Sequence, residues 1–201
     1  MQYSGSEGLN RRQSVRVTDR ILLSYKQVSE ELFQEIAKDF KVGISLYNQE
    51  RVAGIQLLVG AQNALARLRE RDTDLADFLQ HIDTKLNLVL KKIQEEKLPF
   101  DDLVMQKATL SGTGISFYAD QQFSVGDILD FHIVLLPSYT YIYCFGKIVS
   151  CDGADDKGGE EACRVAAEFI LVTEEDREKM IQHNFKQQSL ALRNRRLNQD
   201  I

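Results

Sequence analysis

The sequence predicts an α+β fold: a small antiparallel β-barrel, a helical insertion of coiled-coil character after its first strand, and a C-terminal helix. Three observations predict it. Runs rich in β-branched and aromatic residues are split, one before residue 29 and the others beyond residue 104. Between them Leu75, Leu79, Ile82, Leu86, Val89 and Ile93 step by four, three, four, three, four, the a/d seam of a heptad repeat. Past the last strand-like run, Thr173-Glu174-Glu175-Asp176 opens a helix with a cap and acids in its first turn.

The elements follow in order. Val15, Val17, Ile21, Leu23 and Tyr25 fall on odd positions, a strand with one buried face that Asp19-Arg20 interrupts. Ser29-Glu30-Glu31 caps a helix carrying Leu32, Phe33, Ile36, Ala37 and Phe40, which Gly43 ends or bends. A second helix runs over 49–69 with Ala53, Leu57, Ala61, Ala64, Leu65 and Leu68 on one side. The charged run 69–74 is either a loop that restarts a helix with Thr73 or Asp74 as cap, or a solvated turn in one long helix. In the second case the seam extends back through Asp72 at an a position to Leu68 and Leu65. The helical pattern ends at Pro99. Strand character returns at Met105 and continues over 107–117, 128–136, 141–149 and 164–172, with turns at Gly126-Asp127 and Pro137-Ser138 and an acidic loop over 153–161. Four or five short antiparallel strands at this spacing make a small barrel. The final helix carries Met180, Ile181, Phe185, Leu190 and Leu192, and its end bears Arg193, Arg195 and Arg196, which suits the negative pole of a helix. The chain divides into residues 1–28 (N-terminal segment and first strand), 29–104 (helical insertion) and 105–201 (rest of the barrel and C-terminal helix).

Composition narrows the function. The 201 residues carry a net charge of −5, which argues against general nucleic-acid binding but leaves room for one small nucleotide held by a local basic cluster. No apolar run is long enough to span a bilayer, and the N-terminus has no apolar stretch of signal-peptide type, so a cytoplasmic protein is expected. Cys144, Cys151 and Cys163 lack CxxC spacing and read as reduced thiols. His81, His132 and His183 have no metal-ligand spacing and read as surface or structural residues. Gly158-Gly159-Glu160-Glu161 and Asp155-Asp156 read as a solvated acidic loop, neither a cyclase fragment nor a metal site. With no nucleophile motif, P-loop or Cys/His constellation, no enzyme, metal or cofactor is expected.

Against this acidic background Arg11-Arg12-Gln13-Ser14-Val15-Arg16 is a local basic focus. Arginine grips phosphate in a planar fork and stacks on rings, so Arg12-x-x-x-Arg16 reads as an anion hook; solvated terminal charge is the alternative. Taken with Thr109-Leu110-Ser111-Gly112-Thr113-Gly114, Val125-Gly126-Asp127, Arg164-Val165-Ala166-Ala167-Glu168-Phe169 and the helix opening at Glu174, the order resembles the PilZ domain, a receptor module for cyclic di-GMP. The resemblance covers 11–28 and about 105–190, and with its helical insertion the chain looks like the minority of PilZ proteins that carry long heptad-bearing helices and assemble as tetramers. It implies a PilZ-like barrel, with Arg12 and Arg16 as first-choice ligand residues and Arg11 as a helper. It also implies a polar wall of Thr109, Ser111 and Gly114. Thr109 stands where the family has Asp or Asn, and a hydroxyl is a poorer match for the donor edge of guanine.

Two functions stay open. One is a cyclic di-GMP receptor or adaptor that oligomerises through its insertion, tetramer preferred over dimer, with a protein partner beyond it. The other is a degenerate oligomeric interaction scaffold that does not bind the nucleotide. An amphipathic helix packed on its own domain, with the 49–69 helix folding back, is the alternative for the seam.

Overall fold

In a computed structural model of the chain, residues 16–48, 50–93, 102–153 and 163–197 are described. Arg11, Arg12 and the acidic loop over 154–161 lie outside them.

Six antiparallel strands close into a barrel in the order β1-β2-β3-β6-β5-β4, with β4 returning to β1. They are β1 (Val17–Val28), β2 (Val104–Ser111), β3 (Gly114–Ala119), β4 (Ile128–Leu135), β5 (Thr140–Asp152) and β6 (Cys163–Leu171). That is one strand more than the most the sequence suggests, because the run over 107–117 is a hairpin: Ser111 pairs with Gly114 across a turn at Gly112-Thr113. β1 is not interrupted at Asp19-Arg20. Arg20 points outward and Asp19 is held by His183, so both polar side chains fit a continuous strand.

Alternation puts one set of side chains inside. Ile21, Leu23, Phe117, Phe131, Ile133, Ile142 and Val165 are all within 1% of complete burial. Phe131 stands edge-on to Phe117 and Phe169. Gly146 is required here, since a Cβ on it would lie 2.8 Å from the Phe131 ring. The three thiols are unbridged, and burial pushes the Cys144 thiol well above its ordinary range.

The outer faces of β4 and β5 form a second core. Ile128, Val134, Tyr141, Tyr143 and Phe145 pack against the helical segment between β1 and β2. That segment begins with α1 (Glu30–Lys41), whose first turn is capped by Ser29 Oγ accepting from the Leu32 N–H. Gly43, at φ +90°, follows its end. A short 3₁₀ turn over Leu46–Asn48 and α2 (Glu50–Arg69) come next. Leu46, Val52, Ile55 and Val59 are the residues buried on the barrel, not the side expected from the sequence, and Leu57 is 77% exposed. α2 is apolar around most of its circumference, so periodicity alone does not select the face that the barrel covers.

A real break follows at residues 70–72, and α3 (Thr73–Ile93) runs back along α2. The cap is Asp72, not Thr73 or Asp74: its carboxylate accepts from the Leu75 N–H and its carbonyl from the Ala76 N–H. Asp72 is therefore a helix start and not an a-position residue, and the heptad register does not extend to Leu68 and Leu65. Polar contacts join the hairpin, with Arg69 on Asp77 at 2.6 Å and Gln62 on Asp83 at 3.2 Å. Buried Ala76 lies on this helix too, yet Leu75, Leu79, Ile82, Leu86 and Val89 are between 38% and 58% exposed. Nothing is described of the Ile93 side chain.

The last helix, α4 (Glu174–Leu197), is capped by Thr173 Oγ1, which accepts from the Asp176 N–H. Met180 is buried, while Ile181, Phe185, Leu190 and Leu192 are partly exposed. Its first turn closes a network across three elements. The Tyr47 hydroxyl donates to Asp176 Oδ2 at 2.6 Å and accepts from the Tyr143 N–H at 3.1 Å. Lys179 Nζ meets Asp176 Oδ1 at 3.0 Å. Burial, with the Asp176 carboxylate beside it, pushes the Tyr47 hydroxyl far above its ordinary range.

No helix among the described residues is long and apolar enough to cross a membrane.

Candidate functional site

β1, β2, β3 and β6 lie side by side, and their outward residues share one face. Register defines that face. Thr18 pairs with Thr109, Thr109 with Ser116, and Ser116 with Ala166. One row along, Ser111 pairs with Gly114 and Gly114 with Glu168. A cleft of about 290 Å³ opens here, lined among others by Arg16, Thr109, Ser111, Gly114, Arg164 and Glu168. A groove of about 190 Å³ shares Thr109, Ser116 and Arg164 with it and adds Thr18 and Lys107. Four residues singled out in the sequence, Arg16, Thr109, Ser111 and Gly114, therefore meet at one place although Arg16 is far from the others in the chain. Arg11 and Arg12 lie outside the described residues.

The local chemistry differs from expectation at two hydroxyls. Ser111 is 4% exposed, and its Oγ accepts from the Thr113 and Gly114 N–H groups and donates to the Gly114 carbonyl. It holds the β2–β3 turn instead of presenting a free hydroxyl to the cleft. Thr109 Oγ1 is 2.9 Å from Thr18 Oγ1, so this hydroxyl is shared with a neighbouring strand and not with the backbone. Gly114 is needed for close approach alone: a Cβ there would lie 2.5 Å from the Ala167 carbonyl oxygen.

The turn is braced from behind by α4. Arg177 Nη1 donates to the Gly112 carbonyl at 2.6 Å, and Asn184 Nδ2 to the Leu110 carbonyl at 3.0 Å. Ile181 fills the space against Gly112. On β1, Asp19 Oδ2 meets His183 Nε2 at 3.0 Å. His183 and His132 are structural; His132 Nδ1 is 2.6 Å from the Tyr141 hydroxyl.

Arg164 and Glu168 are cleft residues that the sequence reading left out of the site. The signal for them is strand alternation: Val165, Ala167 and Phe169 point in, so residues 164, 166 and 168 point out, on the strand that pairs with the glycine of the turn. Chemically, the described lining of the cleft offers two guanidinium groups for anionic oxygens, the small residues Gly114 and Ala166, and one carboxylate.

No curated protein matches the chain. Among solved structures it is similar to a pathogenic protein from Xanthomonas campestris, described as a new tetrameric PilZ domain self-assembled via an unusual helical bundle. The two share 13% identity at a TM-score of 0.47, over 90% of this chain and 91% of that one. It is also similar to the Bacillus subtilis inhibitor of motility, MotI/DgrA, at 13% identity and a TM-score of 0.45, over 90% of this chain and 52% of that one. Residues 101–186 match the family model of the PilZ domain, a stretch that takes in β2 to β6 and the first half of α4 with every described cleft residue except Arg16. Over that stretch the chain is similar to the PilZ domain.

Proposed function

We propose that this chain is a cytoplasmic cyclic di-GMP receptor or adaptor, not an enzyme, and that it self-associates through α3. The observation that carries the ligand reading is the convergence of Arg16, Thr109, Ser111 and Gly114 on one cleft, with Arg164 added. Two arginines suit the two phosphates of a cyclic dinucleotide, and their planes suit guanine faces. By their place in the sequence, Arg12 and Arg11 belong to the same proposed arginine hook. The observation behind self-association is the apolar seam of α3, where Leu75, Leu79, Ile82, Leu86 and Val89 stay partly exposed among the described residues. Leucines dominate its a positions and Leu, Ile and Val share d, a pattern that favours a tetramer over a dimer.

Titration calorimetry with cyclic di-GMP tests the ligand reading. Arg12→Ala and Arg16→Ala should each weaken binding at least tenfold, about 1.4 kcal/mol, with little change in melting temperature. Unchanged affinity in both variants removes the arginine hook.

The scaffold reading rests on its own observation. The Thr109 and Ser111 hydroxyls are already engaged within the barrel, which leaves fewer polar groups for a ligand. A wild-type chain that oligomerises but gives no heat with cyclic di-GMP would favour it.

A further inference from the structure

Among the described residues one acid lines the cleft. Glu168 is exposed on β6, paired in register with Gly114 on one side and Lys147 on the other. Among the described residues its carboxylate makes no ion pair. An acid beside a doubly anionic ligand is repulsive unless it meets hydrogen-bond donors. Its surroundings leave room for such donors. The outward neighbour on β6, Ala166, ends in a methyl, and Gly114 across from Glu168 has no side chain, so a flat ring can lie next to the carboxylate.

We propose that Glu168 reads the guanine of the bound cyclic dinucleotide, its carboxylate accepting from N1–H and N2–H. This inference rests on the receptor reading above. Guanine presents those two donors side by side, and a carboxylate accepts both without donating. Charge-assisted hydrogen bonds of this kind are roughly twice as strong as those a neutral hydroxyl makes. Thr109 offers only a hydroxyl that Thr18 already shares, so the acid that the donor edge calls for comes from β6 instead of β2. The two positions lie on opposite walls, two strand spacings apart, roughly 9–10 Å across the sheet. Adenine has an unprotonated N1 where guanine has N1–H, so the same carboxylate repels it. Glu168 is then the residue that sets base selectivity, while Arg16 and Arg164 hold the phosphates whatever the base.

The test is calorimetric titration of the full chain with three probes: cyclic di-GMP, cyclic di-AMP, and the cyclic di-inosine analogue, which lacks the 2-amino group. Wild type should bind cyclic di-GMP at least tenfold tighter than the inosine analogue and show no measurable heat with cyclic di-AMP. Glu168→Ala and Glu168→Gln should lose at least tenfold for cyclic di-GMP and should shrink the guanine-to-inosine ratio toward one. Both substitutions are on an exposed side chain, so an unchanged melting temperature is expected and checks that the barrel is intact. If wild type binds cyclic di-GMP and both variants bind it as tightly or more tightly, Glu168 only repels the ligand and this inference alone is wrong. A wild-type chain that binds none of the three probes removes the receptor reading and the inference with it.

Discussion

The barrel and the α2–α3 hairpin use the same kinds of apolar residue and dispose them oppositely. In the barrel Phe117, Phe131 and Ile133 are inside and Thr18, Lys107 and Arg164 are outside. In the hairpin α3 turns Ala76 and Asp83 toward α2 and leaves Leu75, Phe78, Leu86 and Val89 to solvent. A lone helix gains nothing from that arrangement, because apolar area left in water gives up about 25 cal/mol per Å² that burial would return. The barrel is complete within one chain, whereas on our reading the hairpin is completed by other copies. The contrast also separates two proposed duties: among the described residues, the cleft proposed for the ligand is lined by barrel strands, the residue before β1 and the β2–β3 turn, and by no hairpin residue.

The largest effect should come from breaking that difference at the seam. Leu79→Asp with Leu86→Asp puts charge where self-association would bury it without a partner, which is costly. Light scattering at micromolar concentration should give an oligomer for wild type and a monomer for the double variant, with the barrel's melting transition retained. A monomeric wild type would end the seam proposal.

Truncation sharpens the same contrast. Phe131→Ala empties the centre of the barrel and should cost about 3–5 kcal/mol in urea unfolding. Leu86→Ala removes a side chain that one chain alone leaves 58% exposed. In a Leu79→Asp background that light scattering shows to be monomeric, it should cost less than about 0.5 kcal/mol. Comparable costs at the two sites would show that α3 is buried within its own chain.

A smaller effect tests the joint between the two regions. Tyr47, from the 3₁₀ turn, ties the helical segment to β5 and α4 through Tyr143 and Asp176. Tyr47→Phe leaves buried Asp176 without its hydroxyl donor and the Tyr143 N–H without its acceptor. Lys179 still pairs with Asp176, so a loss of about 1–3 kcal/mol is expected, read as a lower urea midpoint with an unchanged slope.

What was legible in the sequence follows the same division. Period-two alternation identified the inner face of β1, because that strand has one wet side. β4 is buried at every position, since the helical segment between β1 and β2 packs on its outer face, so its run of eight apolar and polar residues carries no alternation to read. The face of α2 was missed for the matching reason: Val52, Ile55 and Val59 meet the barrel, but Leu57 is as apolar as they are. At the site, Arg16, Thr109, Ser111 and Gly114 could be singled out by motif order. That the Ser111 hydroxyl closes its own turn could not, because the turn exists only once Ser111 pairs with Gly114. Glu168 and Arg164 became visible only when β6 was placed beside β3, a contact between strands that are not neighbours in the chain.

The finest test concerns the wall opposite Glu168. Thr109 faces the cleft with its hydroxyl shared with Thr18. Thr109→Asp keeps that contact, since the Thr18 hydroxyl can donate to a carboxylate, and it adds an acceptor for the second guanine's donor edge. A charged hydrogen bond of this kind should tighten cyclic di-GMP binding by about 1–2 kcal/mol. One term opposes it: the new charge lies near the ligand phosphates. Arg16 and Arg164 offset most of that repulsion, and Thr109→Asn, which is neutral but a weaker acceptor, should give a smaller gain. Salt distinguishes the two contributions. Added salt screens the repulsion between the Asp carboxylate and phosphate more than it weakens a direct contact to guanine. The advantage of Asp over Asn should therefore widen as ionic strength rises, in parallel titrations of the two variants. A wild type that binds while Thr109→Asp binds more weakly at every salt concentration would mean that residue 109 does not face guanine.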